Sequence, residues 1–409
     1  MRILTVVNTL SKGGTERVAQ NFSEAYCDLG HDVRVLVLYS DGPRKKELKG
    51  MGIKTYVGLE NNKAELILWN PELIHIHSGG CIEDAPYLYK LVEMFQSAKF
   101  LETSVFSKVS LIEKHLDAIF QLSKWCDYLY RTRGGDIDKS YIISNPIKTN
   151  TMYKPSYNEL NNFKKKYRIP QNCFIIGRIG QASKAKWSLF LIYIFEKFFN
   201  NVDKNAYLLL CNPPDNIISY ISGKKNIKNN VKIIDQIIGD EELHCFYGSM
   251  DLMVHIADGG ESFGMVIAES LLCETPVLTL NTPWGDNSQC EVVGDNIGGW
   301  CCNTISEMYE KLVFLYKNRY LLKDAGINGR QRIIEKYEMH KVAYLALNIA
   351  VDGNIVESCN HNANIDSLLC SYKNSIMIKI LLNLKLSIKI NFMHKIINKI
   401  IRMINIMYI

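Results

Sequence analysis

Two glutamates, Glu261 and Glu269, stand eight positions apart in this sequence, and a Phe263-Gly264 pair follows the first of them. Carboxylate oxygens accept hydrogen bonds from hydroxyl groups, and the N–H groups at the start of a helix bind phosphate. A nucleotide sugar carries both hydroxyls and phosphates. These residue types therefore suit a nucleotide-sugar site, provided that the fold brings both carboxylates to one ligand.

The elements around the two glutamates are predicted to be a strand, a sharp loop and a helix. An apolar segment of strand length runs from Asp251 to Ile256. A helical stretch follows Gly264 and ends near Pro276, because proline cannot continue a helix. Glu261 then lies on the loop and Glu269 on the helix. In an open α/β sheet, ligands bind at the carboxyl ends of the strands, where this loop would be.

The string from Glu261 to Glu269, closed by Pro276-Val277, resembles the E-x7-E signature of the group 1 retaining glycosyltransferases. That family has two Rossmann-like domains whose parallel sheets face across a cleft, the GT-B architecture. The resemblance implies that Glu261 contacts hydroxyls of the donor sugar, that Glu269 binds the ribose, and that Phe263 and Gly264 belong to the donor site. The alternative is a helix-capping glutamate followed by an exposed helical one.

A Gly13-Gly14 turn follows the first predicted strand, residues 2–7, and precedes a helix at 16–28. The pattern is similar to the opening of the same family, where the turn approaches the donor phosphates. Glycine suits that place because a side chain would keep backbone N–H groups away from the phosphate. We therefore predict that Gly14 belongs to the donor site. The alternative is a glycine required only by a tight turn.

A pair of cations follows the first strand of the second half of the chain. Arg178 ends that strand, and Lys186 opens the next helical stretch. The pair resembles the family's Arg…Lys pair, which grips the pyrophosphate, although the usual spacing is shorter. Fixed cations stabilise the charge of a departing diphosphate. We predict Arg178 and Lys186 as catalytic residues, with Lys184 in reserve; the alternative is a solvated basic turn.

No Asp-x-Asp pair of the metal-binding kind stands in a suitable loop, so we expect neither a catalytic metal nor a cofactor.

A polar loop from Asn281 to Glu291 resembles a string found in the same branch of the family. Asp286, Asn287 and Gln289 are predicted to hydrogen-bond hydroxyls of the donor or the acceptor. For each of them, an Asx turn that folds the loop explains the residue equally well.

One family feature is missing from the sequence. Many members carry a histidine at the end of a strand of the N-terminal domain, facing the donor sugar, but the matching position here reads Glu102-Thr103-Ser104. The resemblance implies that activity survives this absence when the leaving phosphate itself takes the proton of the acceptor, as proposed for retaining enzymes of this fold. His77, at another predicted strand end, is a further candidate for the sugar site. A structural histidine with satisfied hydrogen bonds is the alternative.

Strands alternate with helical stretches along the chain, which indicates an α/β protein with two parallel sheets. We expect an N-terminal Rossmann-like domain on the acceptor side at 1–150, a C-terminal one on the donor side at 151–350, and a basic helical tail at 351–409. The predicted strands cover residues 2–7, 33–38, 72–77, 99–103, 117–122, 140–144, 173–179, 206–211, 231–236, 251–256 and 276–280.

Composition limits the class of protein. The chain has 409 residues, a formal net charge of +6 and 12 cysteines. The cysteines stand without CxxC pairs, so we interpret them as reduced core residues of a cytosolic protein. No window reaches the ~18 apolar residues of a membrane span, and we find no signal peptide. The excess positive charge lies in the tail, so the near-neutral body does not indicate nucleic-acid binding.

The tail is basic and amphipathic. From Ser367 onward it holds seven basic residues and no acid. Wound as one helix, its apolar residues form a stripe opposite most of the lysines. The stripe comprises Leu382, Leu386, Ile390, Met393, Ile397, Ile400 and Ile404. Such a helix is typical of binding to an anionic membrane surface. Packing on the body of the protein, or on a second subunit, is the alternative.

Together these features predict a retaining hexosyltransferase that uses a nucleotide sugar. Its expected acceptor is a saccharide or lipid-linked saccharide in surface polysaccharide biosynthesis, such as that of lipopolysaccharide or O antigen. We expect it in the cytoplasm or on the inner face of the plasma membrane. A nucleotide-sugar epimerase of the same architecture and a non-catalytic nucleotide-sugar-binding protein are the alternatives. The residues name neither the base, the sugar, the linkage, the acceptor nor the oligomeric state.

Overall fold

The computed structural model of the chain describes residues 1–237, 239–352, 376–388 and 391–406. These residues form two compact units. The first comprises Met1–Lys148 and Lys336–His394, and the second comprises Thr149–Glu335 and the described residues from Lys395 onward. Lys373, Lys389 and Ile390 of the predicted tail lie outside the described residues.

The N-terminal part of the first unit alternates strands with helices. Its strands are β1 (Arg2–Thr9), β2 (Asp32–Ser40), β3 (Lys54–Val57), β4 (Leu73–Ser78), β5 (Lys99–Ser104), β6 (Ala118–Gln121) and β7 (Ser140–Ile142). Its helices are α1 (Gly14–Asp28), α2 (Arg44–Gly50), α3 (Leu59–Trp69), α4 (Ala85–Met94) and α5 (Lys124–Thr132). In the described residues the strands form one parallel sheet with the order β3-β2-β1-β4-β5-β6-β7.

The second unit repeats the alternation. Its strands are β8 (Ile175–Ile179), β9 (Tyr207–Cys211), β10 (Val231–Ile234), β11 (Leu252–His255), β12 (Val277–Leu280) and β13 (Gly299–Cys302). Its helices are α6 (Tyr157–Lys166), α7 (Phe190–Asn201), α8 (Asp215–Ser222), α9 (Asp240–Gly248), α10 (Met265–Leu272), α11 (Gln289–Val293), α12 (Ile305–Lys317) and α13 (Tyr320–Tyr337). Within the described part of the chain, the sheet order is β10-β9-β8-β11-β12-β13, and every pair is parallel.

The prediction of two parallel sheets is confirmed, and each predicted strand is present. Two strands, β3 and β13, were not predicted, and both lie at the edges of their sheets. Both are four residues long. Gly298-Gly299 opens β13, and a pair of glycines is typical of a turn. Strands this short contain too few residues for a strand pattern of apolar side chains to be recognised.

The cores of the first unit lie on both sides of its sheet. Alternate side chains of β1 point to opposite faces, as they do in any strand. Ile3 and Val7 join the cluster that includes Phe22 of α1, and Leu4 and Val6 join the cluster on the other face. Burial on both faces explains the near-continuous apolar runs of the central strands.

Each sheet has a point where strands that are distant in the chain lie side by side. β1 neighbours β4 in the first sheet, and β8 neighbours β11 in the second. Connections leave such a pair in opposite directions, so a crevice opens at the carboxyl ends of the strands, where ligands bind. In the second unit, the loops after Ile179 and His255 begin next to each other at this point.

The helix α14 (Met339–Asp352) follows the second sheet in the chain but packs in the core of the first unit. Met339, Val342 and Ala343 share one buried cluster with Phe22. The compact units therefore differ from the predicted domains, which placed residues up to 350 with the second sheet. The sequence shows that α14 has an apolar side, but it does not show which sheet that side covers.

In the described residues the tail forms two helices, α15 (Ile376–Ser387) and α16 (Asn391–Ile406), which confirms the predicted helical tail, and Ile388 between them is not helical. Leu382 is fully buried, and its carbonyl oxygen accepts a hydrogen bond from Tyr128 Oη at 2.8 Å. Ile397 is buried as well. Helix α15 belongs to the first unit, whereas the division between the two units falls within α16, after His394. None of the helices described here has the length and apolar character needed to cross a membrane.

Candidate functional site

The predicted strand, loop and helix around the two glutamates are confirmed as β11, a loop from Ile256 to Gly264, and α10. Two positions of the loop require glycine. Gly260 has φ of +72°, and a Cβ there would lie 1.7 Å from the carbonyl oxygen of Asp286. Gly264, at the N-cap of α10, has φ of +102°, which other residues adopt only with strain. The glycines thus give the chain its sharp path into α10.

Glu261 lies at the centre of a cluster of charged groups. Its side chain is 10% exposed. Oε2 accepts a hydrogen bond from Lys186 Nζ at 2.6 Å, and Oε1 lies 3.3 Å from His255 Nε2 and 4.0 Å from Arg178 Nη2. These groups stand at the carboxyl ends of β8 and β11 and in the loops that follow. The structure therefore brings together three residues that the sequence predicted separately.

The carboxylate of Glu261 is ionised throughout the neutral pH range. Burial by itself raises the pKa of a carboxyl group, but the hydrogen bond from His255 and the charge of Lys186 outweigh burial and lower the pKa of Glu261 to about 2. Burial, with the charge of Arg178, lowers the pKa of His255 to about 4. A neutral His255 therefore donates its Nε2–H to the carboxylate. His255 was not among the residues predicted for the site, although its place at the end of β11 was a signal.

Arg178 stabilises the loop between β8 and α7 by hydrogen bonds to the backbone. Its side chain is fully buried, its Nη1 donates to the carbonyl oxygen of Ile179, and its Nη2 donates to that of Lys186 at 2.9 Å. Burial lowers the pKa of Arg178 to about 10, and the nearby Glu261 carboxylate opposes that shift, so the guanidinium stays charged at neutral pH. Arg178 thus positions the backbone of Lys186. Its predicted contact with a diphosphate stays a prediction. Lys184 lies on the same loop and is exposed.

Glu269 lies in the second turn of α10 and is mostly buried. Its Oε2 accepts a hydrogen bond from Tyr247 Oη at 2.8 Å, a partner that the sequence analysis missed. The first N–H groups of α10 have no acceptor within the helix, which gives its N-terminus a partial positive charge. Phe263, just before the helix, is buried. Helix α10 therefore carries both the carboxylate of Glu269 and an N-terminus that attracts anions.

The loop after β12 holds the Glu261 loop in place. Gln289 Oε1 accepts a hydrogen bond from the backbone N–H of Glu261 at 3.2 Å, and its Nε2 donates to the carbonyl oxygen of Leu280 at 2.8 Å. Asn287 Oδ1 accepts from Thr282 N at 2.7 Å. The amides of Asn287 and Gln289 are buried and bond within the protein, so the structure gives them a positioning role. Asp286 is half-buried. Contact of the three with sugar hydroxyls stays a prediction.

The Gly13-Gly14 turn lies at the start of α1, as predicted. A Cβ on Gly14 would meet no atom within 4 Å, so no neighbour in the structure demands glycine there. The carboxylate of Glu16 lies at the same helix end and accepts hydrogen bonds from Thr9 at 2.7 Å and Ser11 at 2.9 Å. The predicted contact of Gly14 with the donor stays a prediction.

The two histidines of β4 are buried. His75 bonds to Tyr26 Oη through Nδ1 and to Thr103 Oγ1 through Nε2, each at 2.9 Å, so it is a structural histidine. His77 is also buried, and neither of its ring nitrogens has a hydrogen-bond partner among the described residues. Burial lowers the pKa of His77 to about 3, so its ring is neutral. Its predicted role at the sugar stays a prediction.

Glu102 lies on β5, in the segment that matches the family's missing histidine. Its side chain is buried, and Oε2 accepts a hydrogen bond from Ser110 Oγ at 2.5 Å. Burial raises the pKa of Glu102 to about 7; the hydrogen bond from Ser110 opposes this rise, and the charges of Glu113 and Asp84 add to it. Glu102 therefore takes up a proton on folding below neutral pH.

We expect Glu102→Gln to stabilise the protein at pH 8 by about 3 kcal/mol, and to change stability little at pH 4. The folded-state pKa is raised above the ordinary 4.5, so stability is full below pH 4.5 and falls as the pH rises through about 7. Glutamine keeps the shape and removes the buried charge. Thermal unfolding at both pH values measures the difference, and the exposed Glu93→Gln serves as the control. Equal melting of Glu102→Gln and the parent at pH 8 would contradict the raised pKa.

Among the described residues, no three side chains of His, Cys, Asp or Glu are grouped as ligands for a metal ion. The candidate site instead gathers Arg178 and Lys186 as cations and Glu261 and Glu269 as carboxylates. That arrangement suits a ligand with hydroxyls and phosphates. A metal-free reaction stays a prediction.

Comparisons with known proteins agree with this architecture. Residues 160–332 match the family model for glycosyl transferases of group 1. HepE of Anabaena, solved in complex with UDP and glucose, is 16% identical with a TM-score of 0.69, over 85% of this chain and 98% of that chain. A glycosyltransferase of Rickettsia africae is 20% identical with a TM-score of 0.71, over 86% and 98%. WaaG, a glycosyltransferase involved in lipopolysaccharide biosynthesis, is 14% identical with a TM-score of 0.61, over 85% and 99%. No curated protein sequence matches the chain.

At these identities the solved structures establish the fold, and the predicted GT-B architecture is confirmed. The family match covers the part of the second unit that holds Lys186, Glu261 and Glu269. This segment, which carries the candidate site, is similar to the group 1 glycosyl transferases.

Proposed function

We propose that this chain is a retaining hexosyltransferase. It transfers a hexose from a nucleotide sugar to a saccharide or lipid-linked saccharide, in the biosynthesis of a surface polysaccharide. The observation that carries the proposal is the pair of Lys186 Nζ and Glu261 Oε2, 2.6 Å apart beside the start of α10. A cation suited to a diphosphate and a carboxylate suited to sugar hydroxyls thus meet at one point. The family match over residues 160–332 supports a transferase.

Binding of the donor exchanges this ion pair for contacts with the ligand. The Lys186 side chain is 31% exposed, so its ammonium group can turn from Glu261 to the diphosphate. Glu261 is ionised and only accepts hydrogen bonds, so it then receives them from hydroxyls of the hexose. The N-terminus of α10 adds N–H donors for phosphate oxygens. Glu269, farther along the helix, accepts hydrogen bonds from the ribose hydroxyls.

The transfer step places the proton on the leaving group. The bond between the anomeric carbon and the phosphate oxygen breaks, and the acceptor oxygen bonds to that carbon on the same face. The acceptor proton passes to the departing phosphate oxygen. With a pKa of about 2, Glu261 is too weak a base to take this proton at neutral pH. Lys186 stabilises the charge that grows on the diphosphate, and Arg178 holds the loop that presents Lys186.

The solved relatives suggest which substrates to test first. HepE was solved with UDP and glucose and with UDP-glucose. A uridine diphosphate hexose is therefore the first donor to examine. The role of WaaG in lipopolysaccharide biosynthesis supports a surface polysaccharide as the product. We place the reaction in the cytoplasm, at the inner face of the plasma membrane when the acceptor is lipid-linked.

A donor panel tests the proposal. Purified protein is incubated with UDP-, GDP- and ADP-hexoses, with and without EDTA, and the nucleotide and sugar products are separated. We expect slow release of free nucleotide from one donor class, unchanged by EDTA, because Lys186 supplies positive charge at the diphosphate. NMR of the glycosylated product should show retention at the anomeric carbon.

An altered sugar on an intact nucleotide would indicate an epimerase. Binding without any turnover would indicate a non-catalytic protein, and a strict Mg²⁺ requirement would contradict the metal-free mechanism.

A further inference from the structure

Helix α16 has more apolar surface than its packing covers. Ile397 and Ile401 are buried, whereas four other large apolar side chains of the helix are exposed. The exposed four are Phe392 at 69%, Ile396 at 39%, Ile400 at 41% and Met403 at 55%. Single exposed apolar residues are normal on a protein surface, but a contiguous row of them marks an interaction site.

The four exposed residues form one continuous stripe. They follow each other by four, four and three positions, which places them within about a quarter of the circumference of a helix with 3.6 residues per turn. Ile397 and Ile401 point away from that stripe. The helix therefore has two apolar sides, one packed on the protein and one exposed.

Basic residues run along the edge of the exposed stripe. Lys395, Lys399 and Arg402 each precede one of its residues, and all three side chains are exposed. Arg402 Nη2 lies 3.9 Å from Asp258 Oδ2, an exposed pair. The helix from Asn391 to Ile406 contains no aspartate or glutamate. The exposed side of α16 is thus apolar in its middle and positive along one edge.

We propose that this exposed side of α16 binds an anionic lipid surface while the opposite side stays packed on the protein. Apolar side chains of such a helix enter the boundary between headgroups and acyl chains, and lysines extend to the headgroups. Packing and lipid binding, which the sequence left as alternatives, use different sides of one helix. This inference rests on the proposed function in one respect only: the membrane surface is where the enzyme meets a lipid-linked acceptor.

Charge favours lipid over a second copy of the chain as the occupant. In a two-fold contact between two α16 helices, the same face meets itself, so Lys395 and Lys399 of each copy would approach those of the other. The helix offers no acid that could pair with them, and like charges oppose such a contact. Anionic headgroups instead supply the missing counter-charge, at about a fivefold gain in binding for each basic residue.

The test is sedimentation of the full chain with lipid vesicles. We expect binding to vesicles of phosphatidylcholine with phosphatidylglycerol, weak binding to phosphatidylcholine alone, and a loss of binding as salt rises. The variant Lys395→Gln/Lys399→Gln should bind the anionic vesicles about 30-fold more weakly at low salt. The variant Ile396→Gln/Ile400→Gln should lose binding at every salt concentration, because the apolar stripe is interrupted.

Matched controls separate this face from general effects of polarity and charge. Leu68→Gln replaces an apolar residue that is 87% exposed on α3, and Lys323→Gln removes an exposed lysine from α13. Both should bind vesicles like the parent protein. Point substitutions are preferable to truncation of the tail, because Leu382 and Ile397 are buried and their loss could unfold the protein.

Three results decide the inference. Equal vesicle binding by the parent and both double variants would overturn it. A parent dimer that the same substitutions dissociate in analytical ultracentrifugation, without vesicle binding, would also overturn it by assigning the face to a second copy. Donor hydrolysis is measured in the same samples and should be unchanged in all variants. Vesicle binding by a protein without hydrolysis would contradict the proposed function and leave the lipid face standing.

Discussion

Replacing Lys186 with alanine is expected to lower the turnover of sugar transfer by about 100-fold or more. Lys184→Ala should change turnover by no more than about threefold, since an exposed charge is screened by solvent and salt. Lys186 Nζ lies 2.6 Å from Glu261, at the carboxyl ends of β8 and β11, whereas Lys184 is exposed on the same loop. The transition state carries more charge on the diphosphate than the bound donor does, so the loss should fall on kcat more than on KM.

Steady-state kinetics of both variants with the donor identified in the panel measure this ranking. Lys186→Arg keeps a positive charge and should recover part of the rate, which loss of structure alone would not explain. Thermal unfolding checks that each variant is folded. A larger loss for Lys184→Ala than for Lys186→Ala would show that Lys184 is the residue that reaches the diphosphate.

The two glutamates should fail in different ways. Glu269→Gln is expected to raise the Kd for the nucleotide by roughly 10- to 100-fold with a smaller effect on kcat, because the ribose contact is made before and during transfer. Glu261→Gln should lower kcat by a similar factor and change the nucleotide Kd little. Both ranges correspond to the loss of a charge-assisted hydrogen bond, about 1.5–3 kcal/mol.

Calorimetric titration with the nucleotide, beside steady-state kinetics, separates the two effects. The exposed Glu335→Gln on α13 is the control for loss of a negative charge. Tyr247→Phe removes the hydroxyl that bonds to Glu269 at 2.8 Å, so it tests whether that tyrosine orients the carboxylate. Wild-type binding and turnover in both glutamate variants would mean that their spacing is a coincidence, and the proposed function would fail with it.

The sequence by itself determined the local frame of the site. Apolar runs of strand length, glycines at the loop and a proline after the helix predicted β11, the loop and α10, because these signals act between residues that are close in the chain. The same signals placed Glu261 on the loop and Glu269 on the helix. Resemblance then indicated a donor site, and the family match over residues 160–332 covers the segment that carries it.

Only the tertiary structure decided which polar groups meet. Lys184 and Lys186 are two lysines of the same loop, so the sequence does not distinguish them. Only the path of the loop brings Lys186 into contact with Glu261, which lies 75 positions away in the chain. Arg178 and Gln289 were predicted to contact the ligand. In the structure both side chains are buried, and their polar groups form hydrogen bonds with backbone atoms of the site loops.

The tail shows the same division between local and tertiary information. Periodicity predicted its apolar and basic character, but the choice of packed and exposed sides depends on what each helix meets. Ile397 is buried and Ile400 is 41% exposed, although the sequence placed both on one stripe. Side-chain direction follows from local geometry, whereas burial follows from contacts between residues distant in the chain, which no local pattern records.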